Sequence, residues 1–165
     1  MSDRPNYITP EGFARMRARY ETLFSDERPK LVETISWAAG NGDRSENGDY
    51  IYGRKKLREI DRELSHLSRR MKAAKVIDPA AQPDRTRIFF GATVTLVDED
   101  DAERVVTLVG EDEADAGAGR ISWRSPLAFA LKGAAVGDVR RVTLPSGSKE
   151  WEVAEIGYPA KSPSC

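Results

Sequence analysis

The stretch YIYGRKKLREIDRELSHLSRRMKAA, residues 50–74, decides how the first half of this chain folds. Its apolar positions are Tyr50, Gly53, Leu57, Ile60, Leu64, Leu67, Met71 and Ala74. They alternate steps of three and four without a slip, the period that keeps one side of an α-helix against a partner helix. That partner lies upstream. Thr9-Pro10-Glu11 is a helix start, with a capping Thr and Pro at the first helical position. Phe13, Met16, Tyr20 and Leu23 then form a heptad-like stripe. Pro29 lacks a donor and crowds the preceding turn, which predicts a kink or short break near Glu27-Arg28. The stripe is expected to resume through Val32, Ile35 and Ala39 in a shifted phase. Gly40-Asn41-Gly42-Asp43 ends this helix, and the second begins near Asp43–Ser45 and runs to Ile77-Asp78. So short a loop forces the two helices antiparallel, with residues 40–47 at the tip.

The second half changes period. Pro79 to Pro83 reads as a linker, within a boundary region at about 78–84. Phe89–Val97 and Arg104–Val109 are β-rich runs joined by the turn Asp98-Glu99-Asp100-Asp101. Glu111–Gly119, acidic and rich in Gly and Ala, reads as an exposed mobile loop. Arg120–Trp123 is a short strand. Ser125-Pro126-Leu127 opens a short helix to about Lys132, and Val139–Leu144 and Trp151–Ile156 are strands around Pro145-Ser146-Gly147. The expected fold class is α+β: an antiparallel coiled-coil hairpin over 1–78, then a small α+β domain over 79–165 with a frayed tail at 159–165.

Composition narrows the function classes. The 165 residues carry 26 basic and 27 acidic side chains, which excludes a uniformly basic nucleic-acid binder. The halves differ: residues 1–78 have net charge +3 and residues 79–165 net −4, which hints at two modules with different partners. No run approaches the length of a membrane span, and Met1-Ser2-Asp3-Arg4-Pro5 has no apolar signal-peptide core. One cysteine (Cys165) and one histidine (His66) leave no material for a disulfide framework, a Cys-based zinc site or a His-rich metal centre. A reduced cytoplasmic setting is the expectation.

Two features can carry chemistry. Asp43 and Glu46, three apart at a helix start, form a capping box in its Asp version and favour the positive end of the helix dipole. The same two carboxylates, on one face of the first turn, also offer oxygens to a divalent cation. Two carboxylates alone make a poor Mg²⁺ cage, so such a tip would complete a site supplied mostly by something else. Nine basic side chains then follow between Arg54 and Lys75 against Glu59, Asp61 and Glu63. They read either as a solvated coiled-coil surface or as a flank for a nucleic-acid backbone, since phosphates require charge but no base code. His66 reads as an exposed helix residue, and Trp123 and Trp151 as core. Trp37 stays open between core and surface, and no apolar catalytic pocket is visible in the sequence.

Trp37-Ala38-Ala39, then Gly42-Asp43-Arg44-Ser45-Glu46-Asn47-Gly48-Asp49-Tyr50-Ile51-Tyr52, then Lys56-Leu57-Arg58-Glu59-Ile60-Asp61-Arg62 resemble the Gre family of bacterial transcript-cleavage factors. Glu27-Arg28-Pro29 and Phe89-Phe90-Gly91-Ala92 resemble its GreB branch, and Ile121-Ser122 and Ser125-Pro126-Leu127-Ala128 also match. The similarity runs from about Tyr7 to Tyr158. It implies an FKBP-like second domain and a monomeric protein that is not itself an enzyme. Such a protein enters the secondary channel of bacterial RNA polymerase and stimulates cleavage of a backtracked transcript. It implies that Asp43 and Glu46 hold Mg²⁺ shared with the polymerase, supported by Asn47, Asp49 and Tyr50. Arg54, Lys55, Lys56 and Arg58 would contact the nascent RNA 3′ end, with DNA of the elongation complex a further contact. Ser125 and Pro126 would dock on the polymerase rim. A channel-binding inhibitor on the same fold is the alternative, and retention of both tip carboxylates favours the cleavage factor. Prolyl isomerisation by analogy to the FKBP fold rests on fold alone.

Overall fold

The computed structural model describes residues 5–40 and 48–160. These divide into two compact units: Phe13–Ala74, and a second built from the N-terminal residues through Gly12 together with the chain from Lys75 onward. The expected division at residue 78 therefore differs from the observed one at both ends of the hairpin.

The helical unit contains α1 (Pro10–Thr22, whose first turn lies in the other unit), α2 (Arg28–Ala39) and α3 (Gly48–Ala73). Thr9 Oγ1 accepts a hydrogen bond from the Gly12 amide at 3.1 Å, the cap expected from Thr9-Pro10. Between α1 and α2 the chain stays helical but widens into a π segment, Leu23–Glu27, closed by the Arg28 amide donating to the Leu23 carbonyl five residues back. This is how the helix accommodates Pro29, which has no N–H to give and whose ring presses on the carbonyl four residues earlier. The wide turn also resets the phase of the stripe. Leu31, Ile35 and Ala38 turn inward, while Val32 is exposed, in place of the Val32–Ile35–Ala39 set expected from sequence. Leu23, Ile60 and Leu64 form the buried centre, flanked by Tyr20, Leu31 and Leu67.

Gly53 has a specific reason to be glycine. A Cβ there would come within 2.7 Å of Ile35 Cγ1, so α2 and α3 approach closely where Gly53 lies against Ile35. Two ion pairs cross the seam at its surface: Arg19 Nε to Glu63 at 2.9 Å, and Arg28 Nε to Asp61 at 2.8 Å. Both are exposed, so solvent screens them and they add little to stability.

The globular unit is a mixed sheet in the order β5-β4-β3-β7-β6. Its strands are β3 (Thr93–Val97), β4 (Glu103–Val109), β5 (Arg120–Ser122), β6 (Val139–Leu144) and β7 (Gly147–Gly157). β4 and β5 run parallel and the other neighbours antiparallel. One short helix, α4 (Pro126–Leu131), completes the unit's core through Ala128 and Leu131, against Val94, Leu96, Val106, Leu108, Trp151 and Val153. Trp151 is core as expected, whereas Trp123 is only half-buried, at the margin of this core. The β3–β4 turn is organised by Asp98, whose Oδ1 accepts from the amides of Asp100 and Ala102, both at 2.9 Å.

Two strands were not foreseen. β1 (Asn6–Ile8) and β2 (Ala74–Val76) form a separate two-stranded sheet, and the Ile77 amide adds a hydrogen bond to the Ile8 carbonyl at 2.9 Å. The helix expected to reach Asp78 thus ends at Ala73, because β-branched Val76 and Ile77 find an extended partner. Phe89–Gly91, read from sequence as strand, forms turns instead.

The acidic segment 111–119 also departs from expectation. It folds into two short 3₁₀ turns, Glu111–Glu113 and Ala116–Ala118, and Glu113 is buried, although 114–118 are exposed. The Glu113 carboxylate accepts from the Thr9 amide at 2.8 Å, the Gly110 amide at 2.9 Å and the Thr9 hydroxyl. The Asn6 side chain donates to Asp112. An acidic run that would be solvated in isolation therefore pins the segment before α1 to the sheet domain.

Candidate functional site

Asp43, Glu46 and Asn47 lie outside the described residues. The described side of the hairpin end begins with Gly48, Asp49 and Tyr50, which open α3. Asp49 is an exposed carboxylate in the first turn, where the helix dipole favours negative charge. Tyr50 is half-buried. Among the described residues, no group of three or more His, Cys, Asp or Glu side chains can hold a metal ion. Asp43 and Glu46 are hard oxygen donors of the kind Mg²⁺ takes, but two carboxylates leave most of an octahedral shell to another molecule.

Arg54, Lys55, Lys56 and Arg58 are all exposed on α3. At about 100° per residue, Arg54 and Arg58 share one flank, Lys55 points away from the seam, and Lys56 lies on the opposite flank. Three of the four acidic residues of α3 are engaged, Glu59 with Lys56 at 3.8 Å, Asp61 with Arg28 and Glu63 with Arg19; the fourth is Asp49 in the first turn. Hydrogen bonding to Glu63 and to Asp61 pushes the Arg19 and Arg28 pKa values up, so both guanidiniums stay charged. Among the described residues, Arg54, Lys55 and Arg58 have no carboxylate within ion-pair distance, so this face presents net positive charge. The four basic side chains therefore spread around the solvent side of α3, from the Arg54–Arg58 flank through Lys55 to Lys56, within the first turns of the helix.

Sequence reasoning left Trp37 open. It is 66% exposed, and Tyr52 is 67% exposed. Both are therefore surface aromatics, and Tyr52 shares its side of α3 with Lys56. The exposure of Tyr52 agrees with its place off the Tyr50–Gly53–Leu57 seam, whereas that of Trp37 depends on which residues of α2 the π segment turns inward.

In the globular unit, Ser125 caps α4: its Oγ accepts from the Ala128 amide at 3.3 Å, and Pro126 takes the first helical position. Pro126 is exposed and Ser125 half-buried. Nearby, Trp123 stacks on Tyr7 at a centroid distance of 4.7 Å, and Phe90 meets Tyr7 edge-on at 5.7 Å. These rings, with Phe89, Leu108 and Lys132, line a cavity of about 340 Å³. The sequence did not show this apolar hollow, because its walls come from segments separated by dozens of residues.

Comparison with known proteins identifies the family. Residues 6–76 match the domain described as "Transcription elongation factor, N-terminal", and residues 82–158 match "Transcription elongation factor, GreA/GreB, C-term". Transcription elongation factor GreB of Neisseria meningitidis serogroup B is 45% identical over 157 residues, covering 95% of this chain and 96% of that protein. The protein of the same name from Pseudomonas aeruginosa is 46% identical over 152 residues, covering 92% and 90%. Among solved structures, a GreA factor homolog of Thermus thermophilus aligns with a TM-score of 0.43 and 22% identity, over 93% of this chain and 99% of that one. With both family domains matched in order, and relatives identical at nearly half of the aligned positions across almost their whole length, the chain belongs to the GreA/GreB family of bacterial transcription elongation factors, on its GreB-like side.

Proposed function

We propose that this elongation factor binds bacterial RNA polymerase, inserts its helical hairpin into the secondary channel and stimulates hydrolysis of a backtracked transcript by the polymerase itself. The observation that carries the reading is the sequence Asp43-Arg44-Ser45-Glu46 between α2 and α3, followed by Arg54, Lys55 and Arg58 exposed in the first turns of α3. The described α3 of 26 residues is about 39 Å long, enough to reach into a deep channel.

In this mechanism each group of residues has a separate task. Asp43 and Glu46 would hold a Mg²⁺ through their carboxylate oxygens, with the rest of its shell left to the polymerase and the RNA, and Asn47, Asp49 and Tyr50 would support their placement. When bound, the ion supplies charge neutralisation at the phosphodiester and activation of water. The carboxylates orient the attacking water toward the scissile phosphate. Arg54, Lys55, Lys56 and Arg58 attract the extruded RNA through its phosphates. Ser125 and Pro126, at the exposed start of α4, dock on the polymerase rim. The factor is then no enzyme alone, acts as a monomer in the cytoplasm, and completes an active site housed in its partner.

Cleavage of RNA by artificially backtracked polymerase tests this directly. Asn caps a helix as well as Asp does but is an uncharged, weaker ligand. Asp43→Asn is expected to leave thermal stability and polymerase binding nearly unchanged while cleavage collapses, and Glu46→Gln to behave alike. Full cleavage by Asp43→Asn refutes the metal role of Asp43. Polymerase inhibition without cleavage by the wild-type protein selects the channel-binding inhibitor instead.

A further inference from the structure

We infer that Trp37 and Tyr52 form a stacking platform for the bases of single-stranded RNA on one flank of the hairpin, a role that rests on the proposed channel-binding function. Both rings are about two-thirds exposed, at 66% and 67%, although a large aromatic left in water forfeits its burial energy. Neither belongs to the buried hairpin centre of Leu23, Ile60 and Leu64.

Their relative placement follows from the helix register. Gly53 lies against Ile35, which sets the level at which α2 and α3 meet. Trp37 is two residues beyond Ile35, and Tyr52 one residue before Gly53. In an antiparallel pair these steps point the same way along the axis, about 3 Å and about 1.5 Å toward the hairpin end. Rotation places them on one side as well. The buried direction of α2 lies between Ile35 and Ala38, and that of α3 along Gly53, Ile60 and Leu64. At about 100° per residue, Trp37 stands about 130° from its seam and Tyr52 about 100° from its own. Because the helices run in opposite directions, both deviations fall on the same flank. Lys56 shares that flank, and Lys55 borders it.

Two exposed aromatic faces at one level, edged by lysines, suit a strand whose bases stack while its phosphates meet cations. Lys55, which has no carboxylate within ion-pair distance among the described residues, argues for RNA over an apolar protein segment, which would leave that charge unneutralised; Lys56 is shared with Glu59 at 3.8 Å. Such a platform is indifferent to sequence, because every base offers a π-face. It would hold the extruded strand in place while the tip carboxylates act elsewhere.

Two measurements test this on the full-length protein. The first is anisotropy of a labelled single-stranded oligoribonucleotide titrated with wild type, Trp37→Ala, Tyr52→Ala and the ring-retaining Trp37→Phe and Tyr52→Phe. The second is cleavage of long extruded RNA in backtracked polymerase by the same proteins. Each alanine variant is expected to weaken RNA binding, and to raise the factor concentration for half-maximal cleavage, by roughly tenfold. The phenylalanine variants should stay near wild type, and an oligonucleotide with abasic sites should bind all five proteins alike. Alanine variants that bind the intact oligonucleotide as tightly as wild type overturn the platform. Equal losses of cleavage on intact and abasic extruded RNA also overturn it, and assign the rings to the polymerase wall. A wild-type protein that binds the oligonucleotide through these rings but stimulates no cleavage refutes the proposed function and leaves the platform standing.

Discussion

Replacing Glu113 by alanine removes a buried carboxylate that holds three donors at once: the amides of Thr9 and Gly110, at 2.8 and 2.9 Å, and the Thr9 hydroxyl. Thr9 and Glu113 are only 7% and 8% exposed, so the orphaned amides gain little from bulk water. Each unsatisfied buried donor costs about 1–3 kcal/mol, so the two amides together predict a loss of about 2–6 kcal/mol. Glu113→Gln is a close control. Its carbonyl oxygen can serve the two amides while its NH₂ donates to the Thr9 hydroxyl, which predicts a loss of only about 1 kcal/mol. Denaturant unfolding of the three proteins measures these differences, and hydrogen exchange at Thr9 and Gly110 locates them. The geometry at Gly110 adds a constraint: a Cβ there would strike the Tyr7 carbonyl at 2.3 Å, so the loop cannot easily shift to restore the missing bonds. A Glu113→Ala protein within about 1 kcal/mol of wild type, with both amides still protected, would show that the acidic segment is the solvated loop its composition suggests, and would refute the reasoning.

Three further outcomes rest on named residues. Gly53→Ala gains about 1 kcal/mol of helix propensity but sets a Cβ 2.7 Å from the stiff, branched Ile35; overpacking of about 1–3 kcal/mol should win, lowering the hairpin's melting temperature, and Ile35→Val in the same chain should recover part of it. Asp98 is held below the ordinary carboxylate range, first by the Ala102 amide and then by the Lys149 side chain. A depressed folded-state pKa means that its contribution is present above the unfolded value of about 4 and is lost as pH falls through the folded one; unfolding followed below about pH 4 should show Asp98→Asn less acid-sensitive than wild type. Replacing Lys55 and Lys56 by Gln should weaken cleavage of long extruded RNA more than of short and flatten its salt dependence, by a slope of about 0.7 for each phosphate no longer neutralised. Unchanged salt dependence would remove these lysines from the RNA path.

The hairpin was legible because its information is local. The three-four spacing from Tyr50 to Ala74, the Thr9-Pro10 cap and the Gly40 stop each act within a turn or two of themselves, so their physics survives without knowledge of the rest of the chain. The same holds for the Ser125-Pro126 start of α4 and the Asp98 turn. Pro29 signalled a disturbance correctly, but not its form. Whether a helix answers a proline with a break or a wide turn depends on whether both flanking segments are held against a partner, and here Leu23 and Leu31 both pack toward α3. Of the candidate site, the basic side chains were readable as a charge run on a helix, while the exposure of Trp37 was not.

What the sequence determined by itself is the periodic hairpin, the caps and turns, the uneven charge, and the motifs that point to the family. Tertiary structure alone decided the pairing of Asn6–Ile8 with Ala74–Val76, the burial of Glu113 beneath Thr9, the approach of Ile35 to Gly53, and the meeting of Tyr7, Phe90 and Trp123. The difference is physical. Periodicity and capping are energies between neighbours in the chain, whereas a buried acid or a close helix approach is favourable only once a distant partner has arrived, and no local pattern records which partner that will be.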